Sequence, residues 1–181
     1  ESFADAARRG LAYERACFSE EAGNWPDFRS WDPRDGVPAP AVMSSWCHGA
    51  AGIGLGRLAL RGTDLWDDTA AAEAETALRH CQLHPAATDH LCCGRMGQAA
   101  ILRTAGTALG NEAWTRAAAQ REAEVLGDPQ ASPPPEYRFY ATSESNLALP
   151  GLFTGLAGVG LEWLPEGETA LRSLLTAGLL R

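Results

Sequence analysis

The sequence of 181 residues has little of what builds β-sheets. Val and Ile are scarce and aromatic residues make up 8% of the chain, whereas strands favour branched and aromatic side chains. Ala, Leu and Gly dominate instead, and Ala and Leu favour helix. The composition therefore predicts an all-α protein, and the length allows one domain with a sizeable buried core.

The sequence also lacks any run of Lys and Arg. The formal net charge of -8 would repel nucleic acids and anionic membranes, so we expect no nucleic-acid partner. No apolar stretch is long enough to span a bilayer, and residues 1–5 contain acids where a signal peptide is apolar. No membrane span is predicted, and the expected compartment is the cytoplasm.

A repeat appears when the chain is compared with itself. Residues 47–54, 93–100 and 154–161 each place a polar residue before Gly-x-x-Gly and continue into an apolar stretch. A phosphate cradle is an alternative interpretation of these glycines, but no strand precedes them and no Lys-Ser/Thr follows. We interpret them as sharp turns at helix starts that allow close helix packing.

A more polar helix is predicted after each of the first two copies. In the first, apolar residues recur at three- and four-residue steps: Trp66, Ala70, Ala74, Ala77, Leu78 and Cys81. In 111–126 the inward residues are Trp114, Ala117, Ala118 and Val125. Apolar inner helices paired with amphipathic outer ones predict a double-layered helical toroid. An opening helix is predicted at about 3–17, with a long loop at 25–40 and an inserted Pro-rich loop at 128–135, and residues 144–150 lead into the third copy.

The cysteines carry the clearest chemical signal. Five is an odd number, so they cannot all pair, and Cys47, Cys92 and Cys93 occupy equivalent turns of two repeats. Such turns gather at one end of a toroid, and three thiolates match a zinc site with an open fourth position. We therefore predict zinc binding by this trio, against the alternative that all three are small core residues. For Cys17 and Cys81, on apolar stripes, we favour that core interpretation.

The histidines allow several interpretations. His48 follows Cys47 and His90 precedes the cysteine pair, so each could bind metal, orient a ligand, transfer a proton or hydrogen-bond the nearby backbone. His80 and His84 are explained by a position at the carboxyl end of a helix, where they interact with its dipole.

Three segments resemble the motifs of the LanC-like lanthionine cyclase family. They read WCHGAAGIG at 46–54, LCCG at 91–94 and GLFTGLAG at 151–158, and YER at 13–15 and GNWPD at 23–27 are similar to the segment before its zinc motifs. The adjacent cysteines look like the cyclase domain of class II lanthipeptide synthetases (LanM). Stand-alone LanC cyclases and their eukaryotic relatives generally have Cys-His-Gly there.

The resemblance implies an (α/α) toroid with zinc held by Cys47, Cys92 and Cys93. The activity implied is thioether formation, in which zinc activates a cysteine of a precursor peptide for addition to dehydroalanine or dehydrobutyrine. The implied partners are that peptide and an upstream dehydratase domain of the same synthetase. The family's proton-transfer histidine belongs to an earlier His-Gly-x-x-Gly repeat, so no catalytic residue is assigned. Residues 1–181 are thus expected to be the C-terminal portion of a cyclase domain, a fragment inactive by itself.

Other functions remain open from the sequence. A non-catalytic, zinc-stabilised helical module that binds a peptide shares every metal-site feature. A LanC-like protein that joins glutathione to dehydrated residues is a further possibility, which the paired cysteines disfavour only by resemblance. A protein prenyltransferase subunit is disfavoured because no Asp-x-Cys occurs.

Overall fold

The computed structural model describes residues 2–29, 31–32, 34, 36, 40–128, 136–139, 150–161, 164 and 175, and the regular secondary structure of these residues is helical. Its helices are α1 (Phe3–Ala16), α2 (Ala50–Leu58), α3 (Asp68–Leu83), α4 (Arg95–Leu109), α5 (Glu112–Leu126) and α6 (Leu156–Leu161). In these residues the only β-type pairs are isolated bridges, such as Pro26 with Val42. The all-α prediction is confirmed. None of the described helices combines the length and apolar composition needed to cross a membrane.

Local sequence signals set the helix boundaries. The Asp67 side chain accepts a hydrogen bond from Ala70 N–H at the start of α3, and Asn111 caps α5 in the same way. The α4 helix ends at Gly110, whose φ of 66° is left-handed and therefore suits glycine. The opening helix α1 matches its predicted range and begins with a Ser2–Asp5 capping box.

Two helical hairpins form the inner and outer layers that were predicted. The α2 helix packs against α3 and α4 packs against α5, while α2 and α4 also contact each other. Ten of the fifteen residues of α4 are buried, but only five of the sixteen in α3, so α4 is inner and α3 outer. The predicted stripes face the core, with Trp66 and Ala117 half-buried against it and the others buried.

The second glycine of each repeat allows a backbone carbonyl to approach its helix. A Cβ at Gly52 would lie 2.1 Å from the carbonyl oxygen of Trp46, and one at Gly97 would lie 1.8 Å from that of Leu91. Gly158 repeats the relationship, with 2.1 Å to the carbonyl oxygen of Leu152. All three distances are far shorter than any real Cβ contact, so the Gly-x-x-Gly pattern is architectural, as predicted.

The α1 helix is attached to the rest of the fold largely by polar contacts, because none of its residues is buried. The Arg57 side chain, 4% exposed, donates to Glu14 of α1 and to Glu73 of α3, each at 2.6 Å. Trp25 Nε1 donates to the Glu14 carbonyl oxygen at 2.9 Å. The described part of the predicted loop at 25–40 contains no α-helix or strand, while 129–135 and 144–149 lie outside the described residues.

Candidate metal centre

The first cysteine lies in a tight turn that leads into α2. Ser45 N–H donates to the His48 carbonyl oxygen at 3.0 Å, and Ser45 Oγ donates to the same oxygen at 3.0 Å. Gly49 closes the turn with a φ of 76°, and a Cβ there would lie 1.7 Å from the Met43 carbonyl oxygen. Only glycine fits this position, and the resulting turn holds Cys47 ahead of the helix.

The adjacent cysteines lie in the equivalent turn before α4. Cys93 N–H donates to His90 Nδ1 at 3.2 Å, and Thr88 Oγ1 donates to the Cys93 carbonyl oxygen at 3.2 Å. The Asp89 carboxylate, which is buried, accepts hydrogen bonds of 2.7 Å from Arg95 Nε and from the Arg138 backbone N–H. These hydrogen bonds connect the turn to the residues just before it and to residues 136–139.

Backbone hydrogen bonds join the three repeat turns to one another. Trp46 N–H donates to the Cys92 carbonyl oxygen at 3.1 Å, and Cys92 N–H donates to the Phe153 carbonyl oxygen at 2.8 Å. The Trp46 and Phe153 rings stack with centroids 5.1 Å apart. The prediction that the two cysteine-bearing turns converge is therefore confirmed, and the turn of the third copy contacts them as well.

The three predicted ligands converge. Each offers one Sγ atom, and all three sulfur atoms lie within 4.8 Å of one another. Cys47 Sγ is 3.2 Å from Cys93 Sγ, which is 3.5 Å from Cys92 Sγ. Tetrahedral zinc with bonds of about 2.3 Å needs sulfur atoms about 3.8 Å apart, so the spacing suits this donor set. The trio could hold a metal ion, and the half-buried thiols leave access for a further ligand.

The three thiols differ in pKa. Burial raises the pKa of Cys47, but hydrogen bonds with Cys93, His48, Cys92 and Ser45 outweigh it and lower the pKa to about 7. Burial also raises the pKa of Cys92 and of Cys93, and their hydrogen bonds to Cys47 raise both further. Cys47 is thus the thiol that ionises first as the pH rises. Each of the three thiols must lose its proton to bind a metal cation.

Arg29 places a positive charge near the thiols, and sequence reasoning did not identify it. Asp27 holds its guanidinium through bonds of 2.9 Å to Nε and 2.5 Å to Nη2. This hydrogen bond raises the pKa of Arg29, and Cys47 and Cys93 add to the effect by charge attraction. Because Asp27 already pairs with this guanidinium, Arg29 acts on the thiols as the positive member of an ion pair.

The histidines beside the cysteines have different environments. His90 is buried, and its Nδ1 accepts the Cys93 N–H, which is the backbone role that the sequence left open. His48 lowers the pKa of the neighbouring Cys47 thiol, while its own Nδ1 is buried without a partner. His80 and His84 lie at the carboxyl end of α3 as predicted, with rings stacked at 4.0 Å.

The remaining cysteines are placed as predicted from the apolar stripes. Cys81 is fully buried in the core between the hairpins, and burial raises its pKa to about 11. Cys17 is half-buried and packs against the small cluster around Trp25. Both are free thiols outside the trio.

Two fully buried amides support the site and were missed from the sequence. Asn24 Nδ2 donates to the Met43 carbonyl oxygen at 2.9 Å, which stabilises the turn that holds Cys47. Gln98 Nε2 donates to the carbonyl oxygens of Ser44 and His84, and its Oε1 accepts the Ala86 N–H at 2.9 Å. The one available signal was Gln98 itself, a polar residue within the apolar stretch 96–102 of the inner helix.

Comparison with known protein families supports the resemblance seen in the motifs. The family described as Lanthionine synthetase C-like protein matches residues 1–165 of this chain. None of the curated proteins matches it. The family is associated with thioether-forming cyclase activity, and its fold is a helical toroid, in agreement with the inner and outer helices seen here. With nearly the whole chain matched, the protein belongs to the lanthionine synthetase C-like family.

Proposed function

We propose that this chain carries the zinc site of a lanthionine cyclase and is part of the cyclase domain of a class II lanthipeptide synthetase. The observation that carries the proposal is the convergence of Cys47, Cys92 and Cys93, whose Sγ atoms lie within 4.8 Å of one another. The adjacency of Cys92 and Cys93 favours the class II type over a stand-alone cyclase. Its partners are a precursor peptide and the dehydratase domain that prepares it.

The chain's own contribution is to hold three thiolates at one point of a rigid turn assembly. Gly49 shapes the first turn, His90 anchors the second through the Cys93 N–H, and Trp46 bonds one turn to the other. When bound, zinc supplies Lewis acidity that lowers the pKa of an incoming thiol. The thiols must stay reduced for this chemistry, so we place the protein in the cytoplasm.

The reaction joins two groups of one peptide. A cysteine thiol adds to the β-carbon of dehydroalanine or dehydrobutyrine, forming the C–S bond, and a proton is delivered to the α-carbon. No group of this chain is assigned to that proton transfer.

The number of ligands argues against a purely structural zinc module. Structural zinc sites are closed by four protein ligands, whereas the described residues bring only three ligand atoms together. His90 Nδ1 is engaged with the Cys93 N–H. The three thiols are also half-buried rather than enclosed. These features favour an open fourth position, as the substrate thiol requires.

The proposal is tested in the complete synthetase with Cys47→Ala. Dehydration of Ser and Thr should continue, because it needs no contact with the thiols, while ring formation should fall to the uncatalysed rate. Mass spectrometry after thiol alkylation counts dehydrations and remaining free thiols separately. Cys81→Ala is the matched control, since this thiol lies in the core. Consumption of peptide thiols by Cys47→Ala at the wild-type rate would refute the proposal.

A further inference from the structure

A cavity of about 670 Å³ opens beside the cysteine trio, and the chemistry proposed above does not use it. Its walls come from residues 42–45, from the carboxyl end of α3 with residues 84–88, and from Phe139. His90 and Cys93 also line it, so the cavity reaches the metal centre directly. Its volume lies within the range of pockets that bind small molecules or side chains.

Several of the polar side chains that line this cavity are already hydrogen-bonded to other groups of the protein. The Gln98 amide bonds to the backbone of Ser44, His84 and Ala86, and Thr88 Oγ1 donates to the Cys93 carbonyl oxygen. Ser44 Oγ and His80 Nδ1 lack a partner, but both atoms are buried from solvent and are not presented to an occupant. Few hydrogen-bonding groups therefore remain for a polar ligand.

The cavity also offers no counter-ion. Among the described residues that line it there is no Asp, Glu, Lys or Arg. Burial lowers the pKa of His80, which disfavours a positive charge on this ring. A charged side chain would lose its hydration here without a compensating partner.

The surfaces that remain are apolar or aromatic. Met43 and Val42 line one side, and Phe139 and the stacked imidazoles of His80 and His84 contribute ring surfaces. Rings pack favourably on other rings and on thioether sulfur. The occupant that best suits these walls is an aromatic side chain.

We propose that this cavity is a substrate subsite that takes an apolar, preferably aromatic, side chain next to the reacting cysteine of the peptide. The identification of the occupant rests on the proposed function, in which the peptide cysteine is placed at the trio. Consecutive Cα atoms are about 3.8 Å apart, so a neighbouring residue lies within reach of a cavity that shares Cys93 with the metal centre. The subsite makes the cyclase selective for cysteines with an aromatic neighbour.

Fluorescence anisotropy with labelled hexapeptides tests the subsite on the zinc-loaded chain. The probes are Gly-Gly-Phe-Cys-Gly-Gly, its reverse-order form with Cys before Phe, and versions with Gly or Asp in place of Phe. One of the two Phe peptides should bind about thirtyfold more tightly than its Gly version, as for a buried aromatic anchor. The Asp versions should bind no better than the Gly versions.

Ala87→Trp should remove that preference, because Ala87 is exposed and lines the cavity, so that a bulky ring there fills it. Ala119→Trp is the matched control, an exposed alanine on α5 that does not line the cavity and should keep the preference. Ala87→Asp adds a charge with little volume. It should weaken the binding of the Phe peptide about tenfold and leave the zinc content unchanged. Equal affinities for the Phe, Gly and Asp peptides, or a preference that survives Ala87→Trp, would overturn the subsite.

Peptides with Ser in place of Cys separate the two proposals. A loss of affinity with Ser, together with no preference for Phe, would overturn the subsite and leave the proposed function intact. A Phe preference that persists with equal affinity for Ser and Cys peptides would support the cavity as a binding site and count against thiol recognition at the trio.

Discussion

The backbone N–H of Trp46 donates a 3.1 Å hydrogen bond to the carbonyl oxygen of Cys92. This bond joins the residue before one proposed zinc ligand directly to another proposed ligand, across two repeats of the chain. The turns are also supported by buried amides and by Asp89. The ligand geometry is therefore preorganised by the fold, which favours tight metal binding.

The first prediction is a zinc content of about one equivalent per chain, because the trio fills three of four tetrahedral positions. The double variant Cys92→Ala, Cys93→Ala should lose nearly all of it, whereas Cys81→Ala should keep it. Metal analysis by mass spectrometry after gel filtration gives the stoichiometry. Equal zinc content in the wild type and the double variant would disprove the ligand assignment.

The second prediction compares two glycines of α2. Gly52→Ala should lower the free energy of unfolding by more than about 2 kcal/mol, because its Cβ would lie 2.1 Å from the Trp46 carbonyl oxygen. Gly56→Ala, one turn later and with no atom within 4 Å of an added Cβ, should raise it by about 0.5–1 kcal/mol. Urea unfolding measures both, and similar effects at the two positions would contradict the close approach.

The third prediction compares a buried and an exposed carboxylate. Asp89→Asn should cost about 2–4 kcal/mol, because it leaves the largely buried Arg95 with only a 3.8 Å contact to the half-exposed Glu124 carboxylate. Asp64→Asn should cost less than about 1 kcal/mol, since the Asp64 side chain is 71% exposed in its pair with Arg8. Equal losses in denaturant unfolding would show that Asp89 does not anchor the turn before α4.

The fourth prediction concerns alkaline pH. The pKa of buried Cys81 is raised from 9.0 to about 11, so the folded state keeps a proton that the unfolded chain releases above pH 9. The stability that this provides is complete below pH 9 and is lost as the pH rises through about 11. Between pH 8 and 10 the wild type should lose about 1 kcal/mol more than Cys81→Ala. Parallel urea titrations at both pH values measure the difference, and identical pH dependence would contradict the buried thiol.

Much of the helical framework could be predicted from the sequence because its determinants are local. Helix caps such as Asp67 and Asn111 bond to residues only a few positions away. The apolar stripes that end at Cys81 and Val125 likewise depend on residues three and four positions apart. The repeated Gly-x-x-Gly likewise marked the turns that hold the candidate ligands. The Pro-rich loop predicted at 128–135 lies almost wholly outside the described residues and remains a prediction.

The sequence by itself determined which helices form, which faces they bury and which three thiols occupy equivalent turns. Only the tertiary structure decided that Trp46 bonds to Cys92, that Arg29 lies near the thiols and that a cavity opens beside Cys93. These relationships join residues far apart in the chain. They depend on distances of a few ångströms between turns that belong to different repeats. No periodicity encodes such distances, because they follow from how the hairpins pack rather than from the order of residues within any one helix.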